Sequence, residues 1–183
     1  GVPALWRAWQ EAGVVDSRVA VAISAGAPLP LELEQRVFAA TGVKIHNFLG
    51  SSECGGIAYD RSATPRTDAS FAGQALDGVD LALDDEGRLV VRSAAVGQGY
   101  WPAAEGDADA LGAGFFRTQD LAELKDGALL LRGRAGDVIN VAGRKLHPAE
   151  LEAALRRHPH VAECCVFGVP SGDAGRLEEI VAV

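Results

Sequence analysis

The sequence predicts a chain of α/β and α+β class. It reads as the end of a parallel βαβ subdomain, then a small antiparallel β-barrel-like section, then the start of an α+β domain. Three observations carry this. Two apolar runs, 18–24 and 43–49, flank a helical pattern, as a parallel βαβ unit requires. After about residue 70 the apolar residues alternate with polar ones, and turn signals separate short runs. From about residue 133 strands and one helix follow each other in a third region. The expected boundaries are 1–132, divided near residue 70, and 133–183.

Pro3 to Gly13 reads as a short helix, with Leu5 and Trp9 four apart on one face and Gly13 as its stop. Arg18 to Ser24 is a buried strand. Pro30 to Thr41 is a second helix, with Leu33 and Val37 inward and Gly42 ending it. Val43 to Leu49 is the next strand. Val79, Leu81 and Leu83 alternate with polar or small residues, and Asp85-Glu86-Gly87 turns the chain back to Leu89-Val90-Val91. Asp126-Gly127, between Leu121–Leu124 and Leu129–Leu131, is a hairpin signal. Val138 to Val141 is a strand. His147 to His158 is a helix with Pro148 in its first turn and basic residues at its end. Val161 to Val169 and Glu179 to Val183 are strands around a polar loop at Ser171–Gly175.

The 183 residues are 48% hydrophobic, enough for a substantial core. A net charge of −8 speaks against a nucleic-acid partner, whose phosphates need a basic face. It leaves open a small phosphorylated ligand, for which backbone amides and an arginine suffice. Three cysteines, two of them adjacent, do not build a disulfide framework, so a reducing compartment is expected. No apolar run reaches the ~20 residues that span a bilayer. The first residues show no charged-then-apolar leader. A cytoplasmic protein is the expectation.

Four segments offer chemistry. Ser24–Leu29 is either a plain β-to-α turn or a place where backbone carbonyls meet the edge of a flat base. Asn47–Gly56 ends a strand with Ser51, Ser52 and Glu53 before a glycine pair. Glu53 there is either a helix cap or arginine partner, or a Mg²⁺ ligand beside a serine that bonds phosphate. Asp120, in Phe116–Leu121, is either a turn aspartate or an acceptor for both hydroxyls of a ribose. Gly133–Asn140, followed by Ala142–Glu152, is either a linker with a surface helix or a segment whose Arg134 donates to ribose or phosphate oxygens.

In their order and spacing these segments resemble the adenylate-forming superfamily of acyl- and aryl-CoA ligases, carrier-protein adenylation domains and luciferases. Leu49-Gly50-Ser51-Ser52-Glu53 is similar to its Tyr-Gly-x-Thr-Glu. Gly87–Trp101, ending Gly97-Gln98-Gly99-Tyr100-Trp101, is similar to its Gly-Glu-Leu … Gly-Tyr-Trp stretch. Phe116–Leu121 is similar to Tyr-Arg-Thr-Gly-Asp-Leu, and Gly133–Glu152 to the long Gly-Arg-x-Asp-Asp motif region.

The resemblance implies an enzyme that activates a carboxylic acid with ATP. The acid attacks the α-phosphorus, pyrophosphate leaves and an acyl-adenylate remains. A CoA thiol then displaces AMP. The implied cofactors are ATP/AMP, Mg²⁺ and CoA, and the implied acid is fatty or aryl. An acceptor thiol on a carrier-protein phosphopantetheine, or a non-catalytic binding module, are the alternatives. Ala27 and Pro28 would border adenine, with Asn47, Phe48 and Leu49 opposite. Ser52 would contact phosphate and Glu53 would bind Mg²⁺, the catalytic pair. Asp120 and Arg134 would hold the ribose. Gly136 would be the hinge of a mobile C-terminal domain, and Gly143 and Arg144 would face CoA. The chain then reads as a C-terminal-half fragment: 1–132 the latter part of a large N-terminal domain, 133–183 the first part of a small one. It lacks the family's upstream phosphate loop and downstream catalytic lysine, so alone it is expected to be inactive. Leu49 stands where the family has a tyrosine, and Asn140 where it often has a lysine.

Overall fold

The computed structural model describes residues 1–103, 107–172 and 178–183. Residues 173–175 of the expected polar loop lie outside the described residues. Helix α1 (Pro3–Glu11) begins on a proline whose fixed φ suits a first helical turn. Leu5 and Trp9 share its exposed face, whereas Pro3 and Trp6 are buried. Trp6 Nε1 donates to Ile23 O at 3.0 Å, which ties α1 to the following strand. That strand, β1 (Ala22–Ser24), is shorter than expected. Arg18 folds back onto Asp16 in a local loop instead of extending. Helix α2 (Leu31–Thr41) buries Leu33 and Val37 and stops at Gly42, whose φ of 73° only glycine adopts freely. Strand β2 (Ile45–Ser51) runs parallel to β1, with Ser24 opposite Asn47. This is the expected βαβ unit, and Val37 and Ile45 lie at 0% exposure in its core.

Past β2 the chain turns at once into β3 (Gly55–Tyr59), antiparallel to it. Then come β4 (Phe71–Ala75), β5 (Val79–Leu83), β6 (Arg88–Ser93), α3 (Asp107–Ala110), β7 (Leu111–Gly112), β8 (Phe115–Lys125) and β9 (Ala128–Arg134). The sheet order is β1-β2-β3-β4-β9-β8-β6-β5, with β7 on β8. Among the described residues the antiparallel section is thus an open sheet continuous with the parallel pair, not a closed barrel. The β8–β9 hairpin turns at Asp126 (φ 50°) and Gly127 (φ 77°), the two left-handed positions a tight hairpin needs. Ile57, Ala58, Leu89, Val91 and Leu129 fill the core under this section. Each large side chain buried there contributes about 1.5–3 kcal/mol.

A short 3₁₀ turn, Ala135–Asp137, leads into the hairpin β10 (Ile139–Val141) and β11 (Arg144–Leu146). Helix α4 (Pro148–Leu155) and the antiparallel pair β12 (Val166–Pro170) and β13 (Glu178–Ala182) follow. The strand expected from Val161 starts only at Val166. Before it, Val161 N–H is drawn to His158 O and Arg156 to Cys164 O, closing the helix end. The chain divides into two compact units: 1–118 with 122–131, and 119–121 with 132–183. Among the described residues no helix is long and apolar enough to cross a membrane.

Candidate active site

Ser52, Glu53 and Cys54 form the turn of the β2–β3 hairpin. The sequence builds this turn from glycines. At Gly50 a Cβ would stand 2.8 Å from Gly55 O, and at Gly56 it would meet Leu76 at 2.5 Å and Phe48 at 2.8 Å. The glycine at 56 therefore leaves room for Phe48 of the hairpin and for Leu76 just past β4. Ser52 is exposed and Glu53 half-buried. Glu53 Oε1 accepts from Tyr100 Oη at 3.2 Å, and its backbone carbonyl accepts from Gly97 N–H at 2.8 Å. It has no arginine partner among the described residues. Cys54 is fully buried beside Ser51, and burial pushes its thiol up, which suits a core residue better than a nucleophile.

Ala27 and Pro28 are exposed in the loop after β1, and Asn47, Phe48 and Leu49 lie on β2 beside the same strand end. Side chains alternate along a strand, so Asn47 and Leu49 share one face and Phe48 takes the other. Phe48 packs edge-on to Tyr59, and Leu49 leans on the core of the antiparallel section.

Beneath these two segments lies a buried charge network that the motif reading missed. Glu34 and Asp60 are both at 0% exposure, with Lys44 and Arg66 buried beside them. Lys44 Nζ donates to Glu34, to Asp60 Oδ2 at 2.6 Å and to Ile45 O at 2.8 Å. Arg66 donates through Nε to Glu34 Oε2 at 2.8 Å and through Nη2 to Leu29 O at 2.7 Å. Asp60 N–H donates to Asn47 O at 2.9 Å, and Ser62 N–H and Oγ donate to Asp60 Oδ1. Burial alone would raise the Asp60 pKa, but the bonds from Lys44 and Ser62 outweigh it and hold the carboxyl below its ordinary value. The network thus grips Leu29, next to Pro28, and Asn47 at once. A signal for it existed: Lys44 interrupts an apolar strand, and Glu34 falls on the inward arc of α2 between Leu33 and Val37.

In the second unit Asp120 and Arg134 meet, Arg134 Nε lying 3.2 Å from Asp120 Oδ1. Burial pushes the Asp120 pKa up; Arg134 counters it, Asp137 adds to it, and the net direction is up. Gly136 lies in the 3₁₀ turn with nothing within 4 Å of a Cβ placed there. Gly143 (φ 83°) follows Ala142 (φ 50°) in the β10–β11 turn, which Asn140 Oδ1 caps by accepting from Gly143 N–H at 3.0 Å. Arg144 follows, exposed. The predicted site residues therefore gather into three groups: the β1 and β2 ends with the Ser52–Glu53 turn, the Asp120–Arg134 pair, and the Gly143–Arg144 turn.

Residues 1–101 match the family model described as AMP-binding enzyme, and residues 150–183 the one described as AMP-binding enzyme C-terminal domain. The chain belongs to the AMP-binding enzyme family. This AMP-binding chain is 31% identical over 172 residues to the long-chain-fatty-acid–CoA ligase FadD13 of Mycobacterium tuberculosis, covering 88% of the chain and 34% of that protein. It is 34% identical over 178 residues to the anthranilate–CoA ligase of Pseudomonas aeruginosa, covering 89% of the chain and 34% of that protein. Among solved structures, ATP-bound MatB from Rhodopseudomonas palustris superposes with a TM-score of 0.83 at 26% identity, over 100% of this chain and 39% of that one. The chain thus spans about a third of the length of these curated relatives.

Proposed function

We propose that this AMP-binding family member, within its full-length protein, activates a fatty or aryl carboxylic acid with ATP and passes the acyl group to CoA. The curated relatives are CoA ligases of fatty and aromatic acids, which supports the reaction class. The observation that carries the reading is the Ser52–Glu53 turn at the end of the parallel strand pair. It presents an exposed hydroxyl beside a carboxylate that no cation neutralises among the described residues.

In this reading Ala27, Pro28, Asn47, Phe48 and Leu49 serve adenine, and Ser52 donates to a phosphate oxygen. Asp120 accepts from ribose hydroxyls while Arg134 donates, and Gly143 and Arg144 serve CoA. Among the described residues no group of three or more His, Cys, Asp and Glu could hold a metal. Magnesium does not need one: it keeps several waters and takes one or two carboxylates plus substrate phosphates. Glu53, whose Oε2 accepts no hydrogen bond among the described residues, fits that donor set. Bound there, Mg²⁺ would neutralise charge on the phosphates. The Asp120 environment supports a binding role as well. Asp120 is a half-buried carboxyl next to the Arg134 guanidinium, an acceptor and a donor side by side as two ribose hydroxyls would need. The cytoplasm is the proposed location, in keeping with three unpaired cysteines.

Acid-dependent exchange of labelled pyrophosphate into ATP by the full-length protein tests the reading. Exchange with a fatty or aryl acid, followed by CoA thioester formation, is the expected result. Exchange that occurs with no acid, or acyl transfer to a phosphopantetheinyl carrier but not to CoA, would overturn it.

A further inference from the structure

Glu53 is held at both ends by one distant segment. Gly97 N–H donates to its backbone carbonyl at 2.8 Å, and Tyr100 Oη donates to its side chain at 3.2 Å across 47 residues of sequence. The segment lies close along the hairpin turn. A Cβ at Gly97 would stand 3.4 Å from Glu53 O, and one at Gly55 would stand 3.7 Å from the Ala95 methyl. Val96 packs on the same core cluster that contains Cys54. The turn and the segment therefore form one packed body, and the tyrosine reaches the carboxylate from a fixed base.

The chemistry of this donor matters. An arginine or lysine in the same place would neutralise Glu53 and compete with any cation. A phenol is a neutral donor near pH 7, so it orients the carboxylate and leaves its charge intact. Its single O–H occupies Oε1. Oε2 accepts no hydrogen bond among the described residues.

We propose that Tyr100 is a positioning residue for Glu53, fixing the carboxylate so that one oxygen stays open to a divalent cation. The inference rests on the reading of Glu53 as the cation ligand. Immobilising a flexible side chain before binding saves ordering entropy, which corresponds to about threefold to tenfold in cation affinity. Tyr100 is partly exposed, so Tyr100→Phe removes one oxygen without opening a core cavity.

The test uses the full-length protein with a non-hydrolysable ATP analogue, and Mn²⁺ as a paramagnetic probe read by electron spin resonance. Tyr100→Phe should need threefold to tenfold more Mn²⁺ for half-saturation. Saturating Mg²⁺ should bring acid-dependent exchange back to within about twofold of the parent. An unchanged Mn²⁺ affinity overturns the proposal, and so does a loss of exchange that no Mg²⁺ concentration repairs. Glu53→Gln, run in parallel, separates the two levels. If it binds Mn²⁺ as the parent does, Glu53 is not the ligand and the functional reading of that residue falls. If it is impaired and Tyr100→Phe is not, only the positioning role falls.

Discussion

Lys44→Met is the most searching perturbation of the first unit. Lys44 Nζ is bonded to two carboxylates and one carbonyl in a dry setting. Without it, Glu34 keeps Arg66, whose backbone N–H and Nε both donate to it. Among the described residues the Asp60 carboxylate then keeps only Ser62 and becomes the uncompensated charge. Breaking a buried pair in this way costs about 3–5 kcal/mol. For a chain of this size that corresponds to a fall in Tm on the order of 6–20 °C. Trp6, Trp9 and Trp101, the three tryptophans of these 183 residues, belong to the first unit, so in the 183-residue chain taken by itself tryptophan emission during urea unfolding reads that unit. Adding Asp60→Asn to Lys44→Met removes the orphaned charge and should recover about 1–3 kcal/mol, because an amide oxygen still accepts from Ser62. If Lys44→Met costs under about 1 kcal/mol, or the double variant is no more stable than the single, the network does not hold the unit as described.

Three other outcomes follow from the same geometry. At Gly73 (φ 119°) a Cβ would stand 2.2 Å from the Tyr59 carbonyl carbon, so Gly73→Ala should cost at least ~2 kcal/mol in urea unfolding. Gly127→Ala (φ 77°, in open space) should cost only ~1 kcal/mol, and equal costs would show the close approach to be false. Acid should unfold the first unit: the folded Asp60 pKa lies below its unfolded value, so its stabilisation is complete above about pH 4 and is lost as pH falls through the lowered value. Tryptophan emission followed from pH 6 down to pH 2 checks this, and Asp60→Asn should flatten the slope. For Asp120 the sign reverses, because its folded pKa is raised and its stabilisation fades as pH rises. Asp120→Asn should therefore leave hydrogen-exchange protection at Ile139 and Val166 unchanged or higher at pH 7; a marked loss there would make Asp120 a structural residue.

The βαβ unit was legible because Leu33, Val37 and Ile45 sit where period alone puts them, and Gly42 marks the stop. The Asp126-Gly127 hairpin was legible because so few residue pairs tolerate two left-handed positions. Strand lengths were not. Arg18–Val21 has the composition of a strand, but an Asp16–Arg18 pair closes a local loop that competes with pairing. Nor did alternation reveal that β3 would pair with β2 and make one open sheet of the parallel and antiparallel parts. At the candidate site, motif spacing nominated Ser52, Glu53, Asp120 and Arg134, but gave no sign of what holds them. Tyr100 stood within a quoted motif, yet its bond to Glu53 spans 47 residues that local pattern does not connect. The Glu34–Lys44–Asp60–Arg66 network was visible only as charges in apolar positions, and the motif reading passed over them.

The most direct measurement is calorimetric titration of the full-length protein with a non-hydrolysable ATP analogue and Mg²⁺, comparing the parent with Ser52→Ala, Asp120→Ala and their combination. Each single change should weaken binding at least about fivefold, a hydrogen bond's worth, and the combination should abolish it. Full affinity in either single variant would show that its residue does not touch the nucleotide, and the ligase reading of the chain would lose its foundation.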